Sequence, residues 1–344
     1  MHRGRCHIGA ALAAAAMAMA ACGGSTDRSS PVDGSAGGSG HREVVHAAGT
    51  TDIPADIDRI VALDQPAALN ALSLGVAPAV VLAGFQAQPE AEEILASYGI
   101  ETEAYSVAQP TLEAVAAAQP DLIIGSGHPA TIAAYDQYTA IAPTVIIPFS
   151  TDWHDQLSVT AAALDRSHEA DALTARIDQR ADDLQAAITD RGLDNSSISV
   201  IGSIRGGPFA FPNSGLAGRL LTRLGLARPA IQDVEVAPDQ GFVTFSSERL
   251  LDHDADTLIT VTGAVYDTTE TITRSPLYQQ LHAVETNDDY QVSGDMWLGA
   301  APFAAAWILD DLTHILAHEQ QPPTTAATER WNTLIATDQT PAQP

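Results

Sequence analysis

Ser167-His168-Glu169-Ala170-Asp171-Ala172-Leu173-Thr174-Ala175-Arg176-Ile177-Asp178-Gln179-Arg180-Ala181-Asp182-Asp183-Leu184-Gln185-Ala186-Ala187-Ile188-Thr189-Asp190-Arg191-Gly192 is the stretch whose reading decides the fold. Leu173, Ile177, Leu184 and Ile188 fall on one stripe of a straight helix, with charged and small residues on the other sides. Ser167 is a candidate N-cap, and Gly192 supplies the left-handed residue that ends a helix. Some two dozen residues at 1.5 Å each make a rod of roughly 36 Å. A shorter helix, capped by Thr151 or Asp152 and running to Leu164, leads into it.

On either side of this rod, short apolar runs alternate with alanine-rich helical patterns. The candidate strands before it are 59–64, 79–85, 121–126 and 144–149; those after it are 197–204, 242–245 and 257–262. Intervening helices are expected over 66–74, 89–98, 111–118 and 215–224, with Gly75 and Gly225 as left-handed caps. Continuous apolar strands separated by helices imply parallel sheets covered on both faces. The expectation is an α/β protein of two Rossmann-like lobes joined by one long helix, with a ligand cleft between them.

The ends read differently. His2, Arg3 and Arg5 precede a short alanine-rich apolar run, Ile8 to Ala20, too short to span a bilayer comfortably. It ends in Met19-Ala20-Ala21-Cys22-Gly23, which resembles a bacterial lipobox with Met19 in place of the usual leucine. The resemblance implies a lipoprotein signal peptide over 1–21, lipidation of Cys22 and anchoring of the chain to the membrane. An ordinary signal peptide with a chance cysteine is the alternative. Residues 22–43, rich in Gly and Ser, form a flexible tether. The resulting division is an N-terminal lobe over 44–165, a connecting helix over 166–192, a C-terminal lobe over 193–322, and a last helix and tail over 323–344.

The chain has 344 residues and a formal net charge of −27, and lysine is absent from it. So acidic a chain is no nucleic-acid binder, since phosphate binding needs a basic footprint. Without lysine there is no Walker A loop, Schiff-base lysine or Ser-Lys dyad, and no Gly-x-Ser-x-Gly elbow occurs, so an enzyme is not expected. With Cys6 lost on cleavage, the two cysteines leave no disulfide, and the fold depends on an apolar core. The histidines are scattered, and Asp252, Asp254 and Asp256 lack the glycine and glutamate of a calcium loop, so no metal ligands and no cofactor are assigned.

A series of ordered segments then carries a resemblance. Gly49-Thr50-Thr51-Asp52-Ile53-Pro54 leads into the strand over 59–64 and Leu72-Ser73-Leu74-Gly75-Val76. Pro110-Thr111-Leu112-Glu113-Ala114-Val115, Gln119-Pro120-Asp121-Leu122-Ile123-Ile124 and Ile141-Ala142-Pro143-Thr144-Val145 follow. Beyond the rod come Leu224-Gly225-Leu226-Ala227-Arg228-Pro229, Ser246-Ser247-Glu248-Arg249-Leu250-Leu251, Asp254-Ala255-Asp256-Thr257-Leu258-Ile259 and Ser275-Pro276-Leu277-Tyr278. In order and spacing, from Val45 to Leu316, the chain resembles the binding proteins of ABC importers for ferric siderophores, haem and cobalamin. The resemblance implies the class III periplasmic-binding-protein fold with limited hinge closure. It also implies a ferric-siderophore-type ligand, delivery to an ABC permease dimer, and a monomeric protein. Glu113 and Glu248, one at a helix start in each lobe, are implied to pair with permease arginines, with helix-dipole stabilisation as the alternative role. Haem or cobalamin, or a sensor lipoprotein without a transporter, are the alternative functions. The alanine and arginine bias suggests a GC-rich, Gram-positive source and hence the outer face of the cytoplasmic membrane.

In open parallel sheets, ligands bind beyond the carboxyl ends of the strands. Those ends place Gln65, Phe85, His128, Phe149 with nearby Trp153, Arg205 and Tyr266 at the cleft. Trp297, in Gly294-Asp295-Met296-Trp297-Leu298-Gly299, joins them because family members often carry a cleft aromatic in that loop. For each aromatic, Phe209 and Phe211 included, a place in a lobe core is the alternative. Arg205, beside Gly206 and Gly207, can fork onto the carbonyl, catecholate or carboxylate oxygens of a chelate or stack on its rings. Its alternative is a surface arginine in a turn.

Overall fold

The computed structural model describes residues 40–83, 88–100, 102–104, 110–149, 152–236, 241–299 and 301–335. The signal segment, Cys22, most of the tether, Phe85 and the tail after 335 lie outside these residues. A hairpin opens the fold: β1 (His41–His46) pairs antiparallel with β2 (Gly49–Pro54), so folded structure begins within the last positions assigned to the tether. Val44 and Ile53 face inward, and the Arg42 guanidinium donates to the carbonyl of Ala163 (2.5 Å).

The first lobe is an all-parallel sheet. Its strands β3 (Ile60–Ala62), β4 (Val80–Ala83), β5 (Thr102–Ala104), β6 (Leu122–Ser126) and β7 (Thr144–Ile147) stand in the order β5-β4-β3-β6-β7. Between them run α1 (Gln65–Ser73), α2 (Pro89–Ser97), α3 (Leu112–Ala117) and the short α4 (Pro129–Ala133) and α5 (Tyr135–Thr139). The strand order reverses between β3 and β6, and Asp64 ties that point together. Its carboxylate caps α1 through the Ala67 amide (2.8 Å) and accepts from the Ser126 amide and hydroxyl (both 2.7 Å).

Two helices follow, α6 (Trp153–Leu164) and α7 (Ser167–Asp190). Asp152 caps α6 as expected, but Ser167 is the first residue of α7, and Arg166 occupies the cap position without a side-chain bond. The stripe Leu173, Ile177, Leu184 and Ile188 is buried, extended by Ala170 and Ala181. Gly192 (φ +70°) ends the helix, its amide bonded to the carbonyl of Thr189 and that of Leu193 to Ile188.

The second lobe is mixed, not purely parallel. β8 (Ile198–Ile204) turns back antiparallel into β9 (Gly207–Ala210), which pairs with β10 (Val243–Thr244). On the other side β11 (Thr257–Thr262) and β12 (Asp289–Ser293) continue parallel to β8. α8 (Leu216–Arg223), α9 (His282–Thr286) and α10 (Gly294–Trp297) complete the lobe. The chain then returns through α11 (Pro302–Leu312) and the short helix expected near the end, α12 (Ala327–Leu334).

α11 lies between the lobes, packing on α1 and α6 of the first, on α7, and on α8 of the second. In consequence one apolar cluster runs through the whole molecule, from Leu69 and Leu157 through Leu173 and Ile177 to Phe209, Leu221, Trp307 and Trp331. Set into it is a buried charge cluster. Arg330, 4% exposed, donates to Asp311 (2.8 Å), Asp310 (2.6 Å) and the Trp307 carbonyl (3.2 Å), and its guanidinium lies 3.6 Å from the Trp307 ring centroid. Removing one partner of such a cluster leaves a buried charge without its counter-ion. Arg330→Met should therefore lower the unfolding free energy by about 3–5 kcal/mol in urea titration. Adding Asp311→Asn should cost less than the two single changes summed, because the stranded carboxylate is then gone.

Candidate functional site

The carboxyl ends of both sheets carry most of the residues singled out above. Gln65 opens α1 at the β3–β6 reversal; it is buried, its side-chain carbonyl accepts from the Gln88 amide (2.7 Å), and its amide nitrogen has no partner among the described residues. His128, just beyond β6, and Phe149, just beyond β7, are exposed and pack edge to face with ring centroids 5.9 Å apart. Together they give the first lobe an aromatic, partly apolar edge.

Arg205 and Gly206 form the two-residue turn between β8 and β9, with φ +54° and +75°. Positive φ at both central positions is the geometry that matches the twist of a hairpin. Gly206 thus serves the turn rather than a close ligand approach, and its amide is held by Asp267 (2.5 Å). An arginine in the left-handed region costs about 1–2 kcal/mol. Arg205 is exposed, and among the described residues its guanidinium pairs with no carboxylate. The turn holds a cation at the sheet's carboxyl edge at some cost in backbone strain.

Tyr266 follows β11 and lies flat on bare backbone. A Cβ placed on Gly294 would sit 2.4 Å from its ring, and one on Gly263 3.0 Å away. Burial, with the nearby carboxylates of Asp295 and Glu90, pushes the Tyr266 hydroxyl well above the ordinary phenol range.

Two candidate residues are elsewhere. Trp297 is 1% exposed, and its indole N–H donates to Asp311 (2.8 Å) inside the core; a cleft role would leave that carboxylate short of a donor. Trp153 is 2% exposed in the first turn of α6, stacked on His154. Phe209 and Phe211 are buried as well. All four belong to the apolar cluster that joins the lobes. Glu113 and Glu248 are both exposed, Glu113 in the first turn of α3 and Glu248 in the 3-10 helix Ser247–His253.

Sequence reasoning missed the residues that join the lobes at this edge. Glu90, in the first turn of α2, accepts a hydrogen bond from the Ser293 hydroxyl at the end of β12 (2.5 Å). Asp295 stands close by, and burial first, then the Glu90 charge, pushes its carboxyl up to about 6. In sequence Glu90 reads only as a helix-dipole acid after Pro89, and nothing local announces a contact 203 positions away. Among the described residues no group of three or more His, Cys, Asp or Glu side chains could hold a metal ion.

A raised carboxyl pKa fixes the sign of a pH effect. The folded state binds the Asp295 proton more tightly than the unfolded chain, whose value is near 3.8, so the stabilisation is full below that value and lost as pH rises through about 6. Measured against Asp295→Asn, whose side chain does not titrate, the melting temperature of the wild type should therefore fall as pH rises from 5 to 7.5. A difference between wild type and Asp295→Asn that does not change with pH would remove Asp295 as the source.

Comparison with known proteins fits this architecture. The family model described as "Periplasmic binding protein" matches residues 60–292. A probable siderophore-binding lipoprotein of Bacillus subtilis, YfiY, is 32% identical over 317 residues, covering 87% of this chain and 94% of its own. Among solved structures, Staphylococcus aureus SirA complexed with staphyloferrin B superposes with a TM-score of 0.67 at 26% identity, over 80% of this chain and 98% of SirA. The siderophore periplasmic binding protein from the fuscachelin gene cluster of Thermobifida fusca gives a TM-score of 0.63 at 25% identity, over 77% and 98%.

Proposed function

We propose a role for this chain from one premise: it belongs to the periplasmic binding protein family, a family of solute-binding proteins. The role is that of the substrate-binding component of an ABC importer, taking a ferric siderophore in the cleft between its lobes and delivering it to a permease. The observation that carries the substrate class is the near full-length similarity to a siderophore-binding lipoprotein. Arg205, an exposed cation at the carboxyl edge of the second sheet, gives that reading its chemistry, since a guanidinium suits the oxygen-rich exterior of a ferric chelate. His128 and Phe149 offer an aromatic edge on the other lobe. No metal ligand from the protein is needed when the chelator saturates the iron.

Tyr266 weighs against haem. Axial ligation by a tyrosine requires the phenolate, and burial with two neighbouring carboxylates opposes its formation here. Lipidation of Cys22 would place the folded part on the outer face of a membrane, in keeping with the lipoprotein relative. Among the described residues no helix is long and apolar enough to cross a membrane.

The first test is a titration of the chain from Gly40 onward, one compact unit, with ferric hydroxamate, catecholate and carboxylate siderophores, haemin and cobalamin. The readout is fluorescence of the four tryptophans, all buried, which an absorbing ferric chelate quenches through space. Saturable quenching by one siderophore class is the expected result; a response to haemin or cobalamin alone would overturn the substrate. Arg205→Gly should weaken that binding by roughly tenfold, a loss of about 1.4 kcal/mol. The same change relieves the left-handed arginine, so the melting temperature should stay level or rise. Charge reversal at Glu113 and Glu248 together should abolish ligand-dependent uptake into cells while leaving ligand binding unchanged. Uptake persisting in that variant would remove the docking role.

A further inference from the structure

α2 belongs to the first lobe, yet along its length it is fastened to elements that come after the long helix. At its start Glu90 accepts from Ser293 at the carboxyl end of β12. One turn on, Glu93 accepts from the Thr328 amide at the start of α12 (3.1 Å), a bond that holds its carboxyl below the usual range. At its end the Tyr98 hydroxyl accepts from the Trp331 indole (2.9 Å), with the two rings edge to face. α12 in turn is held by Arg330 to Asp310 and Asp311 of α11, and by Arg176 of α7, which donates to the Ile335 carbonyl (2.8 Å). Between α2, the ends of β11 and β12, α11 and residues 322–327 lies a cavity of about 580 Å³.

These attachments are unequal. Trp331 is buried in the shared core, so the Tyr98 end is held by packing as well as by its hydrogen bond. The Glu90 end is a single hydrogen bond across the lobes. The second carboxylate oxygen of Glu90 is buried and meets no donor among the described residues, and Asp295 adds a like charge beside it. A contact so balanced can open at little cost, whereas the opposite end of the helix cannot.

We propose that α2 and α12 form a clasp between the lobes, pivoting at Tyr98 and Trp331, with Glu90 and Ser293 as the catch that sets the aperture of the cleft. Glu90 is then a positioning residue: it acts through Ser293 on the separation of the two carboxyl edges and touches no ligand. The long helix α7 is not the sole determinant of lobe spacing; the clasp supplies a second connection with one fixed and one releasable end. This rests on the geometry of the lobes alone, so a wrong ligand assignment would leave it standing.

The experiment is pulsed electron paramagnetic resonance on the full chain without added ligand. Cys6→Ser and Cys22→Ser remove the native thiols, and Glu113→Cys and Glu248→Cys carry one spin label on each lobe, both at exposed positions. The parent should give one narrow interlobe distance. Glu90→Ala and Ser293→Ala should each add a population at a different distance, while Glu90→Gln, whose carbonyl still accepts from Ser293, should restore the single distance. Near-ultraviolet circular dichroism of the buried tryptophans should be unchanged in all of them. A distance unaltered by Glu90→Ala would overturn the clasp, as would an equal change in Glu90→Gln. Loss of the tryptophan signal in Glu90→Ala would also overturn it, by showing that Glu90 supports the fold and not the aperture.

Discussion

Everything in this molecule depends on one constraint: the apolar stripe of α7 is too long for either lobe to bury alone. Ala170 to Ile188 occupy much of a 24-residue helix, and the surface they present is covered where α6, α11 and the helical turn Thr313–Ala317 pack on it together. A single apolar cluster then spans both lobes, which makes them two sheets on a common core rather than two domains on a hinge. Interiors packed at crystal-like density resist gradual deformation. The carboxyl edges, by contrast, meet at the Ser293–Glu90 hydrogen bond, outside that packed interior.

The electrostatics of the cleft follow from the same arrangement. So acidic a chain repels anions, and toward the ferric chelate proposed above an exposed cation at the carboxyl edge of the second sheet matters more than its count suggests. The β8–β9 turn presents Arg205 through a backbone conformation that few non-glycine residues adopt. At the opposite margin folding brings Glu90 and Asp295 together, and burial with the Glu90 charge pushes the Asp295 carboxyl up. A positive turn thus stands at the carboxyl end of β8, while the acidic seam joins α2 of the first lobe to α10 of the second.

How much of this was legible in the sequence depends on whether the information is local. The parallel strands read correctly because both faces are buried, leaving continuous apolar runs such as Leu122 to Ser126. The long helix was plain because its stripe, Leu173 to Ile188, repeats over more than four turns. β9 and β12 escaped notice: Gly207-Pro208-Phe209-Ala210 and Asp289-Tyr290-Gln291-Val292-Ser293 carry polar or breaking residues and owe their pairing to neighbours. β1 was read partly as tether because its exposed side alternates with only two buried positions. At the site, strand ends could be placed but not side-chain directions. Trp153 and Trp297 stand at the right positions along the chain and point the wrong way, into the core. The Glu90–Ser293 contact had no local signal at all.

The last helix has a consequence for how the chain is made. α12 is the last helix among the described residues, yet Trp331 and Arg330 are buried in the interior. A chain emerging amino end first can pair β3 with β4 and β6 early, but the interior stays open until residue 335 is delivered. Contacts of such sequence separation close late and slowly. During that interval the apolar faces of α7 and α11 stand uncovered, a period in which aggregation competes with folding. Completion is thus registered by α12, and a chain cut short before it would be recognisable as unfinished by its exposed core.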